Sequence, residues 1–167
     1  MGCDIHCYIE YHDGHDRWSG FGGRINPGRN YRLFGALAGV RTDAIEHVQP
    51  RGLPPDIGYV AIEDATLFIG DPAECSGCTT RENADRWLAQ GCSRYWDAKQ
   101  TRVTHPDWHS HSWLKTAEFA GAMERYYRDP YPGEKGIKAI EYEAILASMK
   151  CFESFALPAR LVFWFDS

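Results

Sequence analysis

MGCDIHCYIE, Met1 to Glu10, decides the fold of this chain because it alternates with period two. Cys3, Ile5, Cys7 and Ile9 fall on one side, and Asp4, His6, Tyr8 and Glu10 on the other, as in a half-buried β-strand. Asp4 and His6 would then project from the same face, roughly 7 Å apart at strand rise. A carboxylate and an imidazole so placed can share a metal ion or a proton.

The other end of the chain has a different pattern. Arg160-Leu-Val-Phe-Trp-Phe-Asp166 is apolar on both faces, the pattern of a strand covered on both sides. It belongs near the sheet centre beside the N-terminal strand, with Asp166 at a strand end where a loop-built site can use it.

Between these ends the expected elements are short. Arg17-Trp18 begins a return strand after the turn at His12-Asp13-Gly14. Asn30 caps a helix over Tyr31–Val40, with Leu33, Phe34, Leu37 and Ala38 inward. Tyr59–Ile62 and Thr66–Ile69 read as strands. Thr79 and Glu82 form a capping box for a helix ending near Gln90, with Gly91 as its stop. A loop enters a helix at Thr116, with Phe119, Ala120, Met123 and Tyr127 buried. A last helix runs from about Glu134 to Cys151, with Ile137, Ile140, Ala144, Ile145 and Met149 inward. The expectation is one α+β domain spanning the chain, a mixed sheet with the terminal strands central, and three to four helices packed on it.

With 167 residues, of which 44% are hydrophobic, the chain suits one domain with a real core. Its net charge of −5 offers no general attraction to duplex nucleic acid or anionic membrane. There is no basic-then-apolar leader and no apolar run of the ~18 residues that span a bilayer, so action in the cytoplasm is expected. The six cysteines are then expected as reduced thiols. Cys75, Cys78 and Cys92 lie in a segment of distinct character, Asp71 to Asp107. A C-x2-C knuckle, a helix and a third thiolate could close on a structural zinc, with His105, Asp97 or Cys151 as fourth ligand.

His109-Ser-His111-Ser-Trp113 is the second informative stretch. If it is extended, its two imidazoles face the same way, like Asp4 and His6. Two such pairs, Asp4 with His6 and His109 with His111, can surround one zinc or manganese ion or divide acid and base roles. Arg24, Arg29, Arg32, Arg41 and Arg51 crowd one third of the acidic chain. Loop arginines such as Arg29 and Arg51 suit phosphate binding. The glycine-rich Gly20–Gly28 loop, in contrast, fits no phosphate-loop pattern.

These motifs together resemble a widespread group of uncharacterised phage and prophage proteins. The resemblance rests on Met1–His6 (MGCDIH), Asn30–Phe34 (NYxLF), Ala38–Arg41 (AGVR), Pro50–Pro54 (PRGLP), His109–Leu114 (HSHS, Trp or Tyr, Leu) and the terminal Phe165-Asp166. Ser167 departs from the group's final Asn, and the Cys75–Cys92 insertion is not general to it. The resemblance implies a phage-type origin and action in an infected bacterium, and brings no established activity with it.

The functional expectation is therefore a hydrolase, a phosphodiesterase on a nucleotide or cyclic-nucleotide signal that antagonises host defence. Asp4, His6, His109 and His111 would supply the chemistry. Arg29, Arg41, Arg51, Tyr31, Trp113 and Asp166 would hold the ligand. The alternative is a protein that sequesters such a signal uncleaved, with a base stacked on Trp113 or Tyr31. A small structural or adaptor protein is the third reading, and a homo-oligomer is compatible with all three.

Overall fold

A computed structural model describes residues 2–42, 45–96, 101–128, 130, 133 and 138–166. Ile137 and Asp97, named above as a core residue and a zinc ligand, lie outside the described residues.

The N-terminal strand β1 (Ile5–Tyr11) pairs antiparallel along its whole length with the last strand β8 (Ala159–Asp166), His6 standing opposite Trp164. The double-sided apolar run is thus central, as its pattern requires. β1 is flanked by the two-residue β2 (Ser19–Gly20), and β8 by β7 (Trp108–Lys115), giving the sheet order β2-β1-β8-β7.

Alternation assigns the two faces. One face carries Cys3, Ile5, Cys7, Ile9, Leu161, Phe163 and Phe165 into the main core. Three helices cover it: α1 (Tyr31–Ala38), α4 (Thr116–Arg128) and α5 (Ile140–Ser154). Asn30 caps α1 as expected, its side chain accepting from the Leu33 backbone, and Gly39 ends the helix in a left-handed turn with φ 68°. On α5, Ile145 and Met149 point inward, but Ile140 and Ala144 are exposed, so the buried stripe is rotated from the expected one.

The opposite face carries Tyr8, Val162 and Trp164 into a smaller core closed by α2 (Tyr59–Ala65), which supplies Ala61, Ile62 and Ala65. Tyr59–Ile62 is therefore helix and not strand. Four apolar residues are too few for periodicity to separate the two.

The remaining strands form a second sheet, where a single sheet was expected. Its order is β4-β3-β6-β5, from β3 (Thr66–Ile69), β4 (Cys78–Thr79), β5 (Arg94–Trp96) and β6 (Thr101–Thr104). The first sheet is antiparallel throughout, and the second contains the parallel pair β3–β4. The cysteine-bearing insertion supplies three of these strands and α3 (Arg81–Ala89). Thr80, one residue later than expected, caps α3 by accepting from the Asn83 backbone. The described residues hold five helices, and none is long and apolar enough to cross a membrane.

Cys75 and Cys78 are joined in a disulfide across a Cα–Cα distance of 5.5 Å, within ordinary bridging reach. This corrects the expectation of reduced thiols at that pair. Cys92 and Cys151 are free. His105 stacks on Trp108 at 4.4 Å.

Candidate functional site

The residues expected to form one site are distributed over three places. The first is the start of β1. Asp4 takes a forked pair from Arg29, with Nε to Oδ1 at 2.5 Å and Nη2 to Oδ2 at 2.9 Å. That bond holds the Asp4 carboxyl below its usual range. Arg41 stands over the Tyr31 ring at 5.7 Å, and the Tyr31 hydroxyl accepts from the Cys3 backbone. Arg29 and Arg41 thus have partners within the protein.

The second is a polar cluster on the α2 face of the sheet, around buried His6. Its Nδ1 accepts from Arg24 Nη1 at 3.1 Å, which places the proton of a neutral ring on Nε2, facing Asp166 Oδ2 at 3.2 Å. Asp64 on α2 lies 3.7 Å from His6 Nδ1 and accepts from the Tyr8 hydroxyl at 2.5 Å. Burial alone would raise the Asp64 carboxyl, but the neighbouring His6, the Tyr8 hydroxyl and the Arg24 charge hold it below the usual range. Trp108 and Trp164 flank the imidazole at 5.0 and 5.6 Å. The sequence offers no pattern that points to Asp64 and names Arg24 only among the crowded arginines, and Asp166 joins His6 as a carboxylate partner.

The third place is a cleft of about 560 Å³ between the Pro50–Leu53 loop, the Gln90–Tyr95 segment and the start of β7. His109, Ser110 and His111 line it with Arg51, Arg94, Tyr95 and Trp108. Here β7 departs from a regular strand. Its register against β8 shifts between His109 and Ser112, and Ser110 sits in the left-handed region at φ 53°. The bulge sends the two imidazoles to opposite faces. His109 stacks on Phe165 at 6.1 Å, and His111 stacks on Trp164 at 5.9 Å. The same-face expectation for this pair is therefore corrected, because one extra residue inverts the alternation. His6 and His111 share the face that carries Trp164, and His109 lies on the face that carries Phe165.

Burial pushes His109 below the usual histidine pKa, opposed by the Asp166 backbone, while burial with the neighbouring His109 and His6 charges pushes His111 down to about 4. Both rings are thus neutral at neutral pH. His109 Nδ1 lies 3.0 Å from Ser110 Oγ. His111 Nε2 is buried without a hydrogen-bond partner among the described residues.

Arg51 enters the cleft with its fork already taken. Nη1 donates to Glu118 Oε2 at 3.0 Å, Nη2 donates to Glu118 Oε1, and the guanidinium lies over Trp113 at 4.8 Å. Trp113 is packed between Arg51 and Arg160 and does not line the cleft. Arg94 has a looser contact, 3.7 Å to the exposed Asp85. Sequence spacing gave no reason to single it out.

Asp4, His6, His109 and His111 do not form one cluster, and no group of three or more His, Cys, Asp or Glu side chains is placed to hold a metal among the described residues. Comparisons with protein-family models, curated proteins and solved structures returned no match.

Proposed function

We propose that the cleft binds a small phosphate-containing ligand of the nucleotide class and hydrolyses a phosphodiester bond in it, with His109 as general base. The observation that carries this reading is the wall itself: two neutral imidazoles, a hydroxyl and two guanidinium groups around one cleft of about 560 Å³. A neutral imidazole can accept a proton at neutral pH. Arg94, whose only ion-pair contact among the described residues is the 3.7 Å approach to exposed Asp85, supplies positive charge for phosphate, and Trp108 and Tyr95 supply aromatic surface for a base. The chemistry calls on no ion among Asp4, His6, His109 and His111, since Asp4 is held by Arg29 and His109 lies on the opposite sheet face from His6 and His111. The sequence resemblance to phage and prophage proteins adds a setting, the cytoplasm of an infected bacterium, and a role against a host nucleotide signal.

The second reading is sequestration without cleavage. It is favoured by the same aromatic wall of Trp108 and Tyr95. Incubation with a panel of cyclic and linear nucleotides, followed by denaturation and recovery, separates the two. A converted product is expected; recovery of intact ligand selects sequestration, and retention of no ligand removes both. Arg94→Ala is expected to raise KM about tenfold with little change in kcat, the loss of one partly exposed charge contact. An equal fall in kcat at unchanged KM would place Arg94 elsewhere in the reaction.

A further inference from the structure

We propose that Ser110 is the nucleophile of the cleft, activated by His109, so that cleavage passes through a covalent ester between Ser110 Oγ and the ligand's phosphorus. This rests on the hydrolase reading of the cleft and names its reacting atom.

Three observations meet at this residue. Ser110 is one of three non-glycine residues described with positive φ, a conformation that costs an L-residue about 1–2 kcal/mol and that glycine adopts freely. Strain of this kind is held by the surrounding structure, and the surroundings do hold it. Gly52 N donates to His111 O at 2.9 Å, and Arg51 N donates to Ser112 Oγ at 3.3 Å, so the Pro50–Leu53 loop clamps the bulge from outside. The bulge re-aims residue 110 out of the strand's alternation, and Ser110 lines the cleft. There its Oγ stands 3.0 Å from His109 Nδ1, the distance for a serine and its base. The His109 ring is fixed on its other side by stacking on Phe165 at 6.1 Å. A hydroxyl, a neutral imidazole, a fixed ring and an open cleft are the parts that nucleophilic phosphoryl transfer requires.

The steps balance without a redox partner. The Ser110 proton passes to His109 Nδ1 as Oγ bonds to phosphorus, and the bond from phosphorus to the leaving oxygen breaks. The imidazolium returns its proton to that oxygen. Water then gives a proton to His109 and its oxygen to phosphorus, the Oγ–phosphorus bond breaks, and Ser110 recovers its proton.

A fluorophosphonate probe tests the nucleophile independently of the natural ligand, since Oγ displaces fluoride from phosphorus. One label per chain is expected, on the peptide containing Ser110. Ser110→Gly should abolish it while matching or exceeding the wild-type melting temperature, because glycine suits the φ of 53°. His109→Gln should slow labelling about 100-fold, the scale of a lost general base. Absence of label, with nucleotide cleavage undiminished in Ser110→Gly, overturns the proposal and leaves the hydrolase reading intact, with water attacking directly. Label at Ser110 without turnover of any nucleotide in the panel supports the nucleophile and counts against the nucleotide assignment alone. Absence of both label and turnover overturns the nucleophile and the hydrolase together.

Discussion

Arg160→Ala is expected to destabilise the protein by about 3–5 kcal/mol, the cost of removing one partner from a buried ion pair. Arg160 lies on β8, opposite Glu10 on β1, and their side chains are 3% and 1% exposed. Its Nε donates to Glu10 Oε2 at 2.8 Å, and its Nη1 donates to Asp56 Oδ1 at 2.6 Å. Nη2 reaches the Asp56 backbone oxygen at 3.1 Å, and the guanidinium lies over Trp18 at 4.0 Å. Glu10 accepts further from the Gly58 backbone at 2.8 Å, which fixes the entry to α2. Burial pushes the Glu10 carboxyl above its usual range even with Arg160 beside it. Without the guanidinium, that carboxylate must stay buried uncompensated or take up a proton. Denaturant unfolding should show a lowered midpoint at unchanged m-value. Arg160→Lys should recover little, because an ammonium cannot serve Glu10 and Asp56 with the same planar fork. Glu10→Leu with Arg160→Met should lose less than Arg160→Ala alone. A loss below about 1 kcal/mol for Arg160→Ala would mean the network behaves as a surface pair.

The central strand pair was legible because alternation and double-sided apolarity each have one stable solution in a sheet. β1 cannot bury Ile5, Cys7 and Ile9 without presenting His6, Tyr8 and Glu10 to the other face. A strand like β8 has no stable place at an open edge. The site was less legible. His109 and His111 obey the two-residue rule only in an unbroken strand, and nothing in His-Ser-His marks Ser110 for a left-handed φ. Asp64 meets His6 and Tyr8 only because α2 packs on the sheet, a long-range event with no local pattern. Arg24 sits in a glycine-rich loop that could be dismissed as a phosphate loop but not placed. Arg51 looked available because loop arginines often bind anions, while its actual partner, Glu118, is distant in sequence. Cys75 and Cys78 carried the same spacing for a zinc knuckle as for a bridge, and spacing does not choose between them.

His111 should impose a measurable acid limb on stability. Its pKa is pushed down to about 4, first by burial and then by the His109 and His6 charges, whereas in the unfolded chain it titrates at the ordinary 6.5. Between those values the unfolded state binds a proton that the folded state refuses. The contribution is therefore fully present above pH 6.5, declines as pH falls, and is exhausted near pH 4. The full difference is worth about 3 kcal/mol at 1.36 kcal/mol per unit, reduced by whatever solvent reaches the half-buried ring. Carboxylates such as Asp4 and Asp64, whose folded values are lowered, also lose stability in acid, so the wild-type curve alone does not isolate this group. His111→Phe does. Phenylalanine preserves the stacking on Trp164 and removes both the titration and the buried Nε2 that lacks a partner among the described residues. Unfolding free energies for the two proteins should converge at pH 7 to within the repacking cost and diverge in favour of the variant toward pH 4.5. Parallel curves over that range would mean that His111 takes up its proton in the folded state as readily as in the unfolded one. The cleft wall would then be open to water, and the neutral imidazole assigned to it would be lost in mild acid.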